Sequence, residues 1–236
     1  MKITTVLFDL DGTLLPMDQD VFIKHYFRGL CASMMPQGYD KDQLVDAIWQ
    51  GTAAMVKNDG SCRNEEAFWN CFARLLGEDV RKEEPVLEEF YRTDFQKIRQ
   101  VCGYNPAAKE TVALVKELGM TPVLATNPLF PAIATHSRIR WAGMEPEDFA
   151  YITTYENSTS CKPNPHYYRQ ILEKLSLRPE ECVMVGNDAA EDTVAATLGM
   201  QVFLLTDCLI NKKDADISAY PQGGFTQLQE FLQNLV

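Results

Sequence analysis

Residues 3–10 form a short apolar run rich in β-branched side chains, closed by Asp11-Gly12, and read as a buried strand that ends at a turn. Beyond it the texture changes. From about residue 18 to residue 100 there is little strand signal, and helical stretches are divided by breakers: Pro36-Gln37-Gly38, Asn58-Asp59-Gly60-Ser61 and Gly77-Glu78-Asp79. Four helices are predicted, near 18–35, 41–57, 64–76 and 83–100. The first is apolar nearly all round from Val21 to Phe27, which predicts burial on more than one side. The third opens Asn64-Glu65-Glu66, with acids where the helix dipole favours them. After Tyr104-Asn105-Pro106 an alternation begins: helix 107–118, strand 122–125, helix 130–141, strand 149–153, helix 165–175, strand 182–185, helix 189–198, strand 201–205 and a last helix, 226–235. Strands and helices alternating through short connections predict a parallel α/β sheet with helices on both faces. The predicted organisation is a discontinuous α/β core, 1–16 plus 103–236, interrupted by a helical insert at 17–102.

In such a sheet, ligands bind beyond the carboxyl ends of the strands. Chemistry-bearing residues collect at those ends here. Asp9, Asp11, Gly12 and Thr13 follow the first strand; Thr126 and Asn127 follow the second; Lys162-Pro163 lies beyond the third. Gly186-Asn187-Asp188 follows the fourth, with Asp192 one helical turn on. Asp9 and Asp11, two apart, share a face of an extended strand unless the strand end turns one away. Adjacent carboxylates repel and do not both ionise cheaply without a cation. A hard divalent ion answers this, since Mg²⁺ takes one or two carboxylates together with waters and phosphate oxygens. Asp188 is a natural further ligand, and Asp192 falls on the same face of the following helix. The Thr126 hydroxyl, the N–H groups of a helix start and the Lys162 charge suit an anion. These parts fit phosphoryl transfer to a carboxylate: Asp9 attacks phosphorus, Lys162 and Mg²⁺ hold the oxygens, and Asp11 serves as acid and then base.

The segment Phe8-Asp9-Leu10-Asp11-Gly12-Thr13-Leu14 closely resembles the first motif of the haloacid dehalogenase-like superfamily. Thr126 fits its second motif, Lys162-Pro163 its third, and Gly186-Asn187-Asp188 with Asp192 its fourth, in the family's order. The resemblance implies a Rossmann-like fold, dependence on Mg²⁺ and an aspartyl-enzyme intermediate. It places Asp9, Asp11, Thr126 and Lys162 in catalysis, with Gly12, Thr126, Asn127 and Lys162 around the phosphate. The implied metal ligands are Asp9, Asp11 and Asp188, with Asn187 and Asp192 behind them. The 117 residues from Asp9 to Thr126 leave room for the α-helical cap that the family places after motif one; the 36 from Thr126 to Lys162 leave none for a second. Asn187 departs from the pattern, because family members usually carry Asp directly after that glycine. The expected activity is hydrolysis of a small phosphorylated metabolite. A phosphomutase of the same superfamily, and a non-catalytic phosphate-binding or regulatory protein, are the alternatives. Asp11 argues against dehalogenation, since dehalogenases generally lack an acid there.

A net charge of −11 repels nucleic acid and anionic membrane surfaces, so neither is expected as a partner. An anionic small substrate remains compatible if local cations or a metal outweigh that field. Seven cysteines with no Cys-x-x-Cys pair read as reduced thiols. No apolar run approaches a membrane span, and acids interrupt the N-terminus before a signal peptide forms, so the cytoplasm is the expected location and a monomer or homodimer the expected state. His25, His136 and His166 lack ligand spacing and read as structural or surface residues. Lys24, Arg28, Lys57 and Arg63 read as solvated cations of the insert, and Trp49 and Trp69 as residues that pack it together.

Overall fold

The computed structural model describes residues 2–235. Five parallel strands, β1 (Thr5–Phe8), β2 (Thr121–Leu124), β3 (Cys182–Gly186), β4 (Gln201–Leu205) and β5 (Gln222–Gly223), lie in the order β2-β1-β3-β4-β5. Alternate side chains of each strand serve opposite layers, as the pleat requires. Val6, Phe8, Leu124, Val183, Val185, Phe203 and Leu205 enter one apolar cluster, packed by helices α5 (Pro106–Glu117), α6 (Ala132–Trp141) and α8 (Phe225–Gln233). Leu7, Val123, Met184, Val202 and Leu204 enter a second, under helix α7 (Pro165–Leu175). This is the expected doubly covered, Rossmann-like α/β sheet.

Between β1 and α5 the chain is helical only: α1 (Gln19–Met34), α2 (Lys41–Val56), α3 (Asn64–Leu76) and α4 (Glu84–Arg92). Asp18 and Asp40 cap α1 and α2 by accepting two backbone N–H groups each. The two ends of this segment run side by side: Met17 bridges Cys102, and the Gly103 N–H donates to the Pro16 carbonyl at 2.7 Å. Its interior is continuous with the α5–α6–α8 cluster. Asn64, fully buried at the start of α3, fastens it again. Its amide donates toward the carbonyls of Pro128 and Ser160 at 3.3 Å each, while its backbone N–H donates to Ser158 at 2.8 Å.

Four local expectations are corrected. The predicted helix 83–100 breaks at Thr93, whose hydroxyl takes the Glu89 carbonyl while the Gln96 amide takes that of Tyr91; a 3₁₀ stretch, Asp94–Val101, follows. The predicted strand 149–153 forms only a bridge, Leu124 to Ile152, beside β2. The predicted helix 189–198 tightens to a 3₁₀ turn over Thr193–Leu198 after the Asp188 side chain caps Ala190 and Glu191. The two-residue strand β5 lies in a stretch with no apolar run to announce it. Among the described residues all seven cysteines are unpaired, and no helix is long and apolar enough to cross a membrane.

Truncating Asn64 leaves two buried carbonyls without their donor. Asn64→Ala is expected to lower the unfolding free energy by about 1–3 kcal/mol, read by urea denaturation; an unchanged midpoint overturns the fastening role.

Candidate active site

Parallel pairing sets the ends of three strands level. Phe8 is in register with Leu124 of β2 and Val185 of β3, so Asp9, Ala125-Thr126 and Gly186-Asn187 emerge together. The Asp9 N–H completes the ladder on the Val185 carbonyl at 2.9 Å, which fixes its side chain at the mouth of the sheet. A cavity of about 140 Å³ opens there, walled by Asp9, Asp11, Thr126, Asn127, Asn187 and Asp188, with Glu191 and Asp192. All the site residues expected from the sequence except Gly12 and Lys162 line it.

Lys162 lies immediately behind. It is fully buried, and its ammonium donates to Asp9 Oδ1 at 2.9 Å and to Asp192 Oδ1 at 2.7 Å. Burial disfavours its charge, but the Asp192 and Asp9 carboxylates outweigh that and hold it well above the usual lysine range. Asp9 moves the other way from an ordinary ion-paired acid. Burial raises it to about 6 against the pull of Lys162, with Asp192 and Asp11 adding to the rise. The single hydroxyl proton of Thr13 is shared between Asp9 Oδ2 at 3.1 Å and Asn187 Oδ1 at 2.9 Å, so both Asp9 oxygens have a neighbouring donor.

Asp11 is turned away from Asp9, as a strand end permits. Its Oδ2 accepts from the guanidinium of Arg138, a fully buried residue of α6, and its Oδ1 is buried with no hydrogen-bond partner. Nothing in the sequence singled out Arg138, which there reads as one of two basic residues in the last turn of a helix. Its guanidinium carbon also sits 4.3 Å from the centroid of the Phe130 ring. Glu191 was missed as well. It accepts from the Asn127 amide at 3.1–3.2 Å, and burial raises it to about 8 against Lys162, with Asp192, Asp188 and Asp9 adding.

The structure gives several expected residues other work. Asp192 is committed to Lys162 and to the Asp188 N–H at 2.9 Å. Asn187 accepts from Thr13 at 2.9 Å and donates to the Cys208 carbonyl at 2.7 Å, a donation that an aspartate would forfeit. Gly12 has φ 88°, and a Cβ there would lie 2.3 Å from the Asn187 amide nitrogen, so its space belongs to Asn187. Asn127 is tied to Glu191 and accepts the Lys162 N–H at 3.2 Å. The Thr126 hydroxyl makes no hydrogen bond among the described residues, while its carbonyl accepts from Thr153 and Tyr167. His25 lines neither of the protein's two main cavities, nor do the exposed Lys24, Arg28, Lys57 and Arg63.

Five acidic side chains face one lysine and one arginine here, an excess that the upward shift of Glu191 reduces without removing. Among the described residues no three histidines, cysteines or acids converge as a ready metal site, so Asp9, Asp11 and Asp188 do not form a closed ligand triad. A hard divalent ion needs fewer: one or two carboxylates suffice when water and substrate oxygens complete the shell. The all-oxygen donors and the excess of acids over bases fit such an ion.

The haloacid dehalogenase-like hydrolase family model matches residues 3–198. A phosphoglycolate phosphatase of Vibrio parahaemolyticus is 25% identical over 208 residues, covering 86% of this chain and 84% of that protein. Among solved structures, a phosphatase of the same superfamily from Thermococcus onnurineus superposes with a TM-score of 0.61 at 20% identity, over 98% of each chain. A 2-haloacid dehalogenase from Pseudomonas syringae superposes at 0.65 with 20% identity, over 99% of this chain and 100% of that one. Fold likeness thus spans both chemistries.

Two measurements check the electrostatics. Lys162→Met strands two carboxylates that the fold brings together, and is expected to cost about 3–5 kcal/mol of stability in urea denaturation, partly recovered by adding Asp192→Asn. Glu191, raised from 4.5 to about 8, binds its proton more tightly folded than unfolded. Its contribution is therefore fully present below its unfolded value and is lost as pH rises toward 8. In chelator the wild type should lose stability between pH 5.5 and 8.5, and Glu191→Gln should flatten that slope; parallel slopes overturn the assignment.

Proposed function

The chain belongs to the haloacid dehalogenase-like hydrolases, and on that premise we propose that it is a Mg²⁺-dependent phosphatase of a small phosphorylated metabolite, acting through an aspartyl-phosphate on Asp9. The observation that carries this is the placement of Asp9: a carboxyl group at the end of a central strand, oriented by Lys162 and Thr13, facing a cavity beside the free Thr126 hydroxyl. Phosphatases among the relatives support it.

In the first half-reaction an Asp9 oxygen bonds to phosphorus and the ester P–O bond breaks. Asp11 gives its proton to the departing alcohol oxygen. In the second, Asp11 takes a proton from a water that attacks phosphorus; the bond to Asp9 breaks, its carboxylate is restored and inorganic phosphate leaves. Asp11 Oδ2 is engaged by Arg138 and Oδ1 is buried, so the carboxyl reaches substrate only after a turn that frees it from the guanidinium. Thr126 supplies a hydroxyl to a phosphoryl oxygen, and Lys162 keeps Asp9 aligned while offsetting charge. Asp9 and Asp188 would hold the metal, since the Asp11 carboxylate is taken by Arg138, Asp192 by Lys162, and the Asn187 side chain by Thr13 and Cys208. A bound Mg²⁺ supplies a Lewis acid that draws charge off the phosphoryl oxygens. The helices α1–α4 serve as the cap over this site, hinged at the paired segments around residues 16–17 and 102–103.

Hydrolysis of 4-nitrophenyl phosphate with Mg²⁺ and with chelator, on wild type and Asp9→Asn, tests the reading. Metal-dependent turnover that falls at least ~1,000-fold in the variant is expected, with a phosphoryl adduct on the Asp9 peptide after acid quench. Retention of more than about one per cent overturns the nucleophile. Phosphoryl return to an added sugar phosphate, in place of free phosphate, would select the mutase.

A further inference from the structure

A larger cavity adjoins the one that holds Asp9. It encloses about 490 Å³ and lies among α1–α4, the 129–133 loop and residues 155–156, within the size range of small-molecule sites. Ile23, Leu129 and Phe130 line both cavities, so the larger one begins at the wall of the smaller. Of the apolar run Val21–Phe27, expected to be buried on more than one side, Phe22 lies in the core, but Ile23, Tyr26 and Phe27 face this space. Trp49, expected to pack the helices together, is 49% exposed and stands edge-on to Phe27 at 4.9 Å.

Two features of its lining act together. Nine aromatic side chains line it, among them Tyr26, Phe27, Trp49, Phe68, Trp69 and Tyr155. Every charged residue of the lining is a glutamate: Glu65, Glu84, Glu88 and Glu156, with no lysine, arginine or histidine among them. Glu156 spends one oxygen on the Ala132 N–H, at 2.8 Å, and the other is buried with no partner. Burial raises Glu65, and Glu156 and Glu84 add to the rise against Arg63. The nearest buried cation, Arg138, lies against Phe130 with its charge engaged by Asp11. Glu88 is paired with Arg92 at 3.3 Å, but the aromatic faces and the carboxylates of Glu65, Glu84 and Glu156 attract the same kind of ligand, an organic cation with an apolar body. An acidic or phosphorylated group would meet repulsion here.

We propose that this cavity binds the organic part of the substrate, and that this part is an apolar group carrying a cationic nitrogen, either an amine or a quaternary ammonium. The inference rests on the phosphatase reading for the word substrate, but its binding test does not. The substrate is then zwitterionic, with its phosphate at Asp9 and its positive end among the glutamates.

The probes are 4-(trimethylammoniomethyl)benzyl alcohol, its neutral carbon isostere 4-neopentylbenzyl alcohol, and the phosphate esters of both. Trp49 and Trp69 report binding of the alcohols by fluorescence. The cationic alcohol is expected to bind about tenfold tighter than the isostere, and the preference to shrink to about twofold in Glu65→Gln/Glu156→Gln. The cationic ester is expected to show the same preference in kcat/KM. Equal or tighter binding of the isostere overturns the charge assignment, and no binding of either alcohol overturns the site; neither outcome needs the double variant to fold. Turnover of both esters without preference overturns this inference and leaves the phosphatase standing. Selective binding of the cation without turnover of any ester does the reverse.

Discussion

A lysine buried completely beside two carboxylates constrains everything around it. An ammonium in the interior carries a desolvation cost of several kcal/mol, and only close, well-directed partners offset it. Lys162 finds them in Asp9 and Asp192, which come from the ends of different strands, so the pairing is available only when β1 and β3 lie in register. The same demand reaches Gly186: a Cβ there would lie 2.0 Å from Asp192 Oδ2, so glycine is required at the end of β3. Asp192 in turn holds the Asp188 N–H, and Tyr167 and Tyr168, both buried, close the space on the α7 side. Asp9, the proposed nucleophile, is thus aimed by an ion pair whose own survival depends on the sheet.

Charge separates the two cavities by function. Around Asp9 the acids outnumber the cations, yet a phosphoryl group must be welcomed there, and only an added cation reconciles the two. The outer cavity has the same sign but no such device, and its aromatic walls place it in low dielectric, where uncompensated charge matters most. On the proposed reading, one molecule offers a metal-assisted anion site at the strand ends and a cation-seeking aromatic site beside it. The overall charge of −11 does not explain this arrangement, because exposed basic residues are available on the same helices and are kept out of both linings.

The sequence made the sheet and the strand-end chemistry readable because both have local signatures: short β-branched runs, and acids, a hydroxyl or a lysine directly after them. What it left hidden is pairing at long range. Arg138 and Asp11 are 127 positions apart, and no spacing rule connects an arginine in α6 to a strand-end acid. Glu191 was masked by its neighbour Asp192, and only burial tells the two apart. Asn187, which looked like a weakened ligand, has a reason in the Cys208 carbonyl that a carboxylate would repel. The break at Thr93 depended on side-chain hydrogen bonds that compete with the helix, and the aromatic residues of α1 gave the same periodicity whether they faced core or cavity.

Phe130 joins these threads. It lines both cavities, and on its ring rests the guanidinium that holds Asp11. Tyr26 reaches the same ring at 5.1 Å from the outer cavity and is tied to Tyr91 by a 2.8 Å hydrogen bond between their hydroxyls. The packing behind Arg138 and the lining of the outer cavity therefore share Phe130. Interiors packed this closely transmit small displacements because the voids that would absorb them are few. Asp11, the proposed proton donor, is therefore held by a residue within one aromatic ring of the outer cavity, which places the linings of the two cavities in one contiguous set of contacts.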